Sequence, residues 1–117
     1  MDISDVLGRL RHFTDERDWA QFHTPRNLVL ALVGEVGELA ELVQWRTDQE
    51  VLAHARTSDG REALADELAD VVTYLLGIAD ALGIDLGEAV NAKITKNAEK
   101  YPVHLARGSN AKYTELP

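Results

Sequence analysis

Along the chain the apolar residues recur at helical spacing, never at strand spacing. Residues 3–17 (ISDVLGRLRHFTDER) set Ile3, Val6, Leu7, Leu10 and Phe13 on one face, which predicts a first helix with Ser4 as its N-cap. The aromatic segment WAQFHTP has no period and reads as a connection. Thr24-Pro25 joins a capping hydroxyl to a proline at the first helical position, so a second helix is expected from there to about Trp45. Residues 47–60 (TDQEVLAHARTSDG) are the least regular stretch, with room for one short helix. A third helix is predicted from about Arg61 to Leu82, closed by a left-handed Gly83. Asp85 and Glu88 form an acidic variant of the capping box that opens a fourth helix, which Pro102 stops. The expected class is all-α, a four-helix bundle, with one helical domain over 1–102 and an irregular polar tail over 103–117.

Two of these helices carry charge where a bundle wants none. At 100° per residue, Leu28, Ala31, Leu32, Leu39 and Leu42 lie within roughly 60° of Glu35, and Glu38 sits at the edge of that stripe. The third helix repeats the pattern: Ala63, Leu64, Val71, Tyr74 and Ile78 surround Glu67, with Asp70 at the edge. The chain therefore carries E-x-x-E on one apolar face and E-x-x-D on another. Ionised carboxylates so placed are costly unless paired or bound to a cation. Glu41, Glu62 and Asp66 point away from the seams and read as surface acids.

Three readings of the four acids compete: bundle-rim residues salt-bridged to nearby Lys or Arg, a di-iron centre, or a site for a hard divalent cation. Di-iron bundles want Glu-x-x-His pairs, and none of His12, His23, His54 and His104 stands three residues after a glutamate. A histidine-poor acidic cluster suits Mg²⁺, or Mn²⁺, and phosphate-ester chemistry.

Composition narrows the classes further. The chain has no cysteine, which excludes thiol catalysis, iron–sulfur clusters and cysteine zinc sites. Its net charge of −8 argues against binding a nucleic-acid polymer. No apolar run approaches membrane length and no signal segment is visible, so a cytoplasmic protein with no membrane partner is expected.

The segment DERDWAQFHTPRNLVLALVGEVGELAELVQW, then DELADVVTYLLGIA and AKITKNAEKYPVHLARGSNAKYTELP, closely resembles the dCTP pyrophosphatases, single-domain members of the MazG-like all-α superfamily. The resemblance runs from about Phe13 to the end. It implies Mg²⁺-dependent hydrolysis of dCTP, and of 5-modified dCTP, to the monophosphate and pyrophosphate, as nucleotide-pool cleaning by a homotetramer. It places the metal and catalytic ligands on Glu35, Glu38, Glu67 and Asp70, the four that helix geometry singles out. Base recognition falls by position on Trp19, Phe22, His23, Trp45 and Tyr74, with Gln21 able to bond a base edge. Lys93 and Asn97, one turn apart on the fourth helix, fall near the triphosphate. Relatives carry a substrate-contacting histidine in the first helix where Leu10 stands here, with His12 two residues on. Two alternatives stay open: a broader dNTP or dUTP pyrophosphohydrolase of the same superfamily, and a non-enzymatic helical oligomerisation module with a cation site.

Overall fold

The computed structural model describes residues 1–117, and every regular element in it is helical. In chain order these are α1 (Ile3–Glu16), a 3-10 turn (Ala20–Phe22), α2 (Pro25–Glu41), α3 (Asp48–Arg56), α4 (Ser58–Ala81), α5 (Leu86–Lys100), α6 (Val103–Ala106) and a second 3-10 turn (Tyr113–Glu115). The chain divides into two compact units, Met1–Ile84 and Asp85–Pro117. No helix is long and apolar enough to cross a membrane.

Local chemistry explains most of the boundaries. Thr24 accepts a hydrogen bond from the Asn27 N–H, and Pro25 opens α2, as the sequence predicts. At the end of α4, Gly83 adopts φ 67°, and Gly83 and Ile84 donate back to the Asp80 and Ala79 carbonyls. That is a Schellman closure, and only glycine takes the left-handed position without strain. Asp85 caps α5 through the Glu88 N–H.

Three expectations need correction. The cap of α1 is Asp2 and not Ser4: its carboxylate accepts from the Ser4 and Asp5 N–H groups, a charge-assisted bond that also favours the positive end of the helix. The one short helix expected within 47–60 is present as α3, opened by a reciprocal capping box between Thr47 and Glu50. However, α4 begins at Ser58, three residues before the expected Arg61, with Thr57 as its cap. The tail, finally, is only partly irregular, since it contains α6 and the second 3-10 turn.

Within Met1–Ile84, α2 and α4 form the most extensive helix pair, α3 packs on α4, and α1 rests on α4 by a smaller contact. The buried apolar residues are Leu28 of α2 and Leu76 and Ala79 of α4. Gly77 faces Leu28 across this seam: a Cβ there would stand 3.6 Å from Leu28 Cδ1, ordinary van der Waals contact. α1 buries no residue completely.

The α3–α4 corner depends on Gly60. A Cβ at that position would fall 2.1 Å from the His54 carbonyl oxygen and 2.7 Å from both His54 Nδ1 and Thr57 Oγ1. A backbone oxygen cannot move aside as a side-chain tip can. Gly60→Ala should therefore lower stability by about 1–3 kcal/mol, as overpacking does. Gly8→Ala, in open space on α1, should raise it by roughly 0.5–1 kcal/mol through helix propensity alone. Urea unfolding followed by circular dichroism measures both, and equal effects at the two glycines would refute the steric account of the corner.

Candidate functional site

The α2–α4 seam continues from its apolar part into an acidic one. Glu35 lies two turns along α2 from buried Leu28, and Glu67 lies nine residues before Leu76 on α4. The register that buries the leucine therefore turns Glu35 inward as well. One carboxylate oxygen from each of Glu35, Glu38 and Glu67 falls in a cluster whose members all lie within 4.8 Å of one another. Glu35 and Glu67 are half-buried and Glu38 is exposed. Asp70 is close enough for its charge to act on both Glu35 and Glu67.

Nothing basic compensates this charge. The ion pairs of the chain are Arg11–Asp80, His12–Glu16 and Arg17–Glu16, so none of the four acids has a cationic partner. Oε2 of Glu35 and Oε2 of Glu67 are buried without any hydrogen-bond donor. Burial, then the neighbouring Glu38, then the charges of Asp70 and Glu67 push the Glu35 carboxyl above its ordinary range. Burial is also the main cause for Glu67, followed by Glu38 and Asp70, with a hydrogen bond involving Glu35 acting the other way. Two orphaned, desolvated oxygens in an all-carboxylate set match what a hard divalent cation binds, so the residues fit such an ion.

Beside the acids a cleft of about 360 Å³ opens between α1, the first 3-10 turn, α2 and α4. Glu35 and Asp70 line it together with Trp19, His23 and Tyr74. Phe13 meets Trp19 edge-on at 5.7 Å between ring centres, and Trp19 meets His23 at 6.3 Å. The connection that the sequence marks as aromatic and non-periodic is thus one wall of the cleft. Asp18 reaches that wall through a left-handed backbone, φ 52°, and Gln21 donates to the Asp18 carbonyl and carboxylate.

Other candidates lie elsewhere. Gln21, Phe22 and Trp45 do not line this cleft, and Trp45 is 87% exposed in the turn after α2. Lys93 and Asn97 share a face of α5, in the C-terminal unit. Arg11 and Asp80, both cleft-lining, were not singled out from the sequence. The available signal was weak: Asp80 stands ten residues after Asp70 and one turn after Gly77 on α4.

The raised carboxyls make stability depend on pH in a definite direction. Their folded-state pKa values exceed the ordinary 4.5, so without cation the folded chain holds protons that the unfolded chain has released. Their contribution is therefore complete at low pH and lost as pH rises through the raised values. Asp80 works oppositely: its hydrogen bond to Arg11 lowers its pKa against a smaller effect of burial, so its contribution fades only below the ordinary 3.8. In chelator, the melting temperature should rise as pH falls from neutrality toward the ordinary carboxyl range, and Glu35→Gln with Glu67→Gln should flatten that rise. At neutral pH a divalent cation at 100 times its Kd should add roughly 2.7 kcal/mol. A metal-free melting temperature that falls monotonically over this range would contradict the assignment.

Residues 31–116 match the MazG-like family profile. The chain is 52% identical over 115 residues to dCTP pyrophosphatase 1 of mouse, covering 98% of this chain and 68% of that protein. The human dCTP pyrophosphatase 1 shows the same identity and coverage. Among solved structures, a pyrophosphatase from Archaeoglobus fulgidus superposes with a TM-score of 0.79 at 39% identity, over 87% of this chain and 94% of that one. With the acidic seam and the all-α frame already in place, these similarities settle the lineage: the chain belongs to the MazG-like family.

Proposed function

We propose that this protein is a dCTP pyrophosphatase, hydrolysing dCTP and its 5-modified forms to the monophosphate and pyrophosphate. The observation that carries the reading is the unpartnered acidic seam beside an aromatic cleft, in a chain 52% identical to dCTP pyrophosphatase 1 over nearly its whole length. Hydrolysis forms a bond from a water oxygen to the α-phosphorus and breaks the α–β bridging bond, so pyrophosphate leaves with the bridging oxygen.

Glu35, Glu38, Glu67 and Asp70 would hold Mg²⁺, with Mn²⁺ as a substitute. When bound, such an ion neutralises phosphate charge and favours the developing charge on the leaving group. Glu38, the exposed member of the cluster, is assigned as the base that takes a proton from the attacking water. Trp19 and Tyr74 offer π-faces to a pyrimidine, and His23 can bond its edge. Lys93 and Asn97 on α5 are proposed as phosphate contacts, and Gln21, Phe22 and Trp45 as further base contacts, on the strength of the family resemblance. A role in nucleotide-pool cleaning belongs to the cytoplasm.

We further propose a homotetramer. Only three apolar residues are buried, while Val29, Val33 and Val36 form one exposed apolar stripe on α2. Leu68, Leu75 and Leu82 form another on α4. Surfaces of this kind mark interfaces. The number four comes from the family resemblance, and light scattering coupled to size exclusion reads it directly.

Pyrophosphate release from a panel of dNTPs, NTPs and 5-methyl-dCTP tests the reaction. Turnover should concentrate on dCTP and its 5-substituted forms and vanish on chelation. Glu67→Ala and Glu38→Gln should each cost at least about a hundredfold in kcat with the fold intact, the scale of losing a metal ligand or a base. Equal turnover of all dNTPs would keep the metal chemistry and discard the cytosine preference. Activity that survives exhaustive chelation would overturn the mechanism.

A further inference from the structure

Arg11 of α1 and Asp80 of α4 form the one hydrogen-bonded ion pair in the chain between residues distant in sequence; the other ion pairs, His12–Glu16 and Arg17–Glu16, are local. The pair is two-pronged: Arg11 Nε donates to Asp80 Oδ2 at 3.1 Å and Nη2 to Oδ1 at 2.5 Å. Two parallel bonds fix orientation as well as distance, which a single contact does not.

Both residues line the cleft, Asp80 at the C-terminal end of α4 and the acids midway along that helix. Ten residues separate Asp70 from Asp80, about 15 Å along the helix axis. That span is comparable to an extended nucleoside triphosphate. With phosphates at the acidic seam, the α1 end is the base end.

α1 contributes Leu10, Arg11 and Thr14 to this end, and Phe13 of the same helix contacts Trp19, which in turn contacts His23. A shift of α1 across α4 would move the whole aromatic wall. The rest of α1 is held by half-buried apolar side chains such as Leu7 and Leu10, none of them completely buried, so no other directional contact fixes its position. The acids, by contrast, sit on α2 and α4, which pack on each other far more extensively than α1 packs on α4. Arg11 and Asp80 are also substantially exposed, with side chains 59% and 32% accessible, so the pair adds little global stability. Its effect belongs to cleft geometry.

We propose that Arg11 and Asp80 are positioning residues for base selection: their two-pronged bond fixes α1 on α4 and so sets the width of the base compartment without touching the metal chemistry. This rests on the reading of the cleft as a dNTP site. Asp80 holds the guanidinium, the only Lys or Arg group on the cleft wall, in place and neutralised. Lysine at position 11 keeps the charge but loses the second prong, so it is an imperfect replacement.

The test is steady-state kinetics on dCTP and dTTP for the unsubstituted protein, Arg11→Met, Asp80→Asn, Arg11→Lys and the exchanged pair Arg11→Asp/Asp80→Arg. Each of the Met and Asn variants should raise KM for dCTP about five- to tenfold and shrink the dCTP-to-dTTP ratio of kcat/KM by a similar factor, with kcat and the cation requirement unchanged. Arg11→Lys should fall between, and the exchanged pair should recover most of the loss. Unchanged KM and selectivity in the single variants would overturn the proposal. So would a kcat that falls in step, or an exchanged pair no better than either single change. Absence of selective dCTP turnover by the unsubstituted protein would instead sink the dNTP reading and this inference with it, a result separate from the others.

Discussion

Everything else in the N-terminal unit follows from the way α2 and α4 meet. Their apolar contact, Leu28 against Gly77 with Leu76 and Ala79 beside it, fixes the rotation of each helix about its own axis. Helical periodicity then leaves no freedom two turns away: Glu35 shares the face of Leu28 and has to point into the same seam. The apolar core and the acidic cluster are consecutive layers of one interface. Rigidity at the carboxylates comes from packing at the leucine, and the folding free energy sacrificed by desolvating Oε2 of Glu35 and of Glu67 is recoverable only by a cation or a proton.

This also explains why the salt-bridged alternative fails. A rim acid in a bundle is normally met by a Lys or Arg one turn away on a neighbouring helix. Here all four lysines stand after residue 92, and the seven arginines of the N-terminal unit are placed elsewhere, in bonds such as Arg11–Asp80, Arg17–Glu16 and the Arg46 contact with the Leu42 carbonyl. A module kept only for association would have no use for buried, uncompensated charge, because apolar residues of the same volume hold such a seam at least as well.

The sequence made the acidic seam legible because helical periodicity converts directly into a shared face, so Glu35, Glu38, Glu67 and Asp70 could be selected and Glu41, Glu62 and Asp66 set aside. Thr24-Pro25 and Gly83 were legible for the same reason, each being a local rule obeyed locally. What escaped depended on partners remote in sequence. Arg11 looks like any solvated arginine until α4 brings Asp80 to it, 69 residues away. Helix α3 was legible only as one short helix without bounds: the Thr47-x-x-Glu50 box was present, but its nine residues are too few for an apolar period to stand out. Gly60 gives no sign at all in sequence, since its necessity arises from the approach of the His54 carbonyl.

The distribution of charge completes the picture of how a polyanion could be handled by an acidic protein. Before residue 85 the chain carries sixteen acids and seven arginines, whereas from Asp85 onward five Lys and Arg stand against four acids. The cleft of the N-terminal unit therefore repels phosphate at every approach, and its single arginine is already neutralised by Asp80. Attraction for an anion there would have to be created by a cation that reverses the sign of the acidic seam, which would couple anion affinity to cation occupancy. The absence of lysine from this unit fits that requirement, because lysines among the acids would compete with the cation for the same carboxylates.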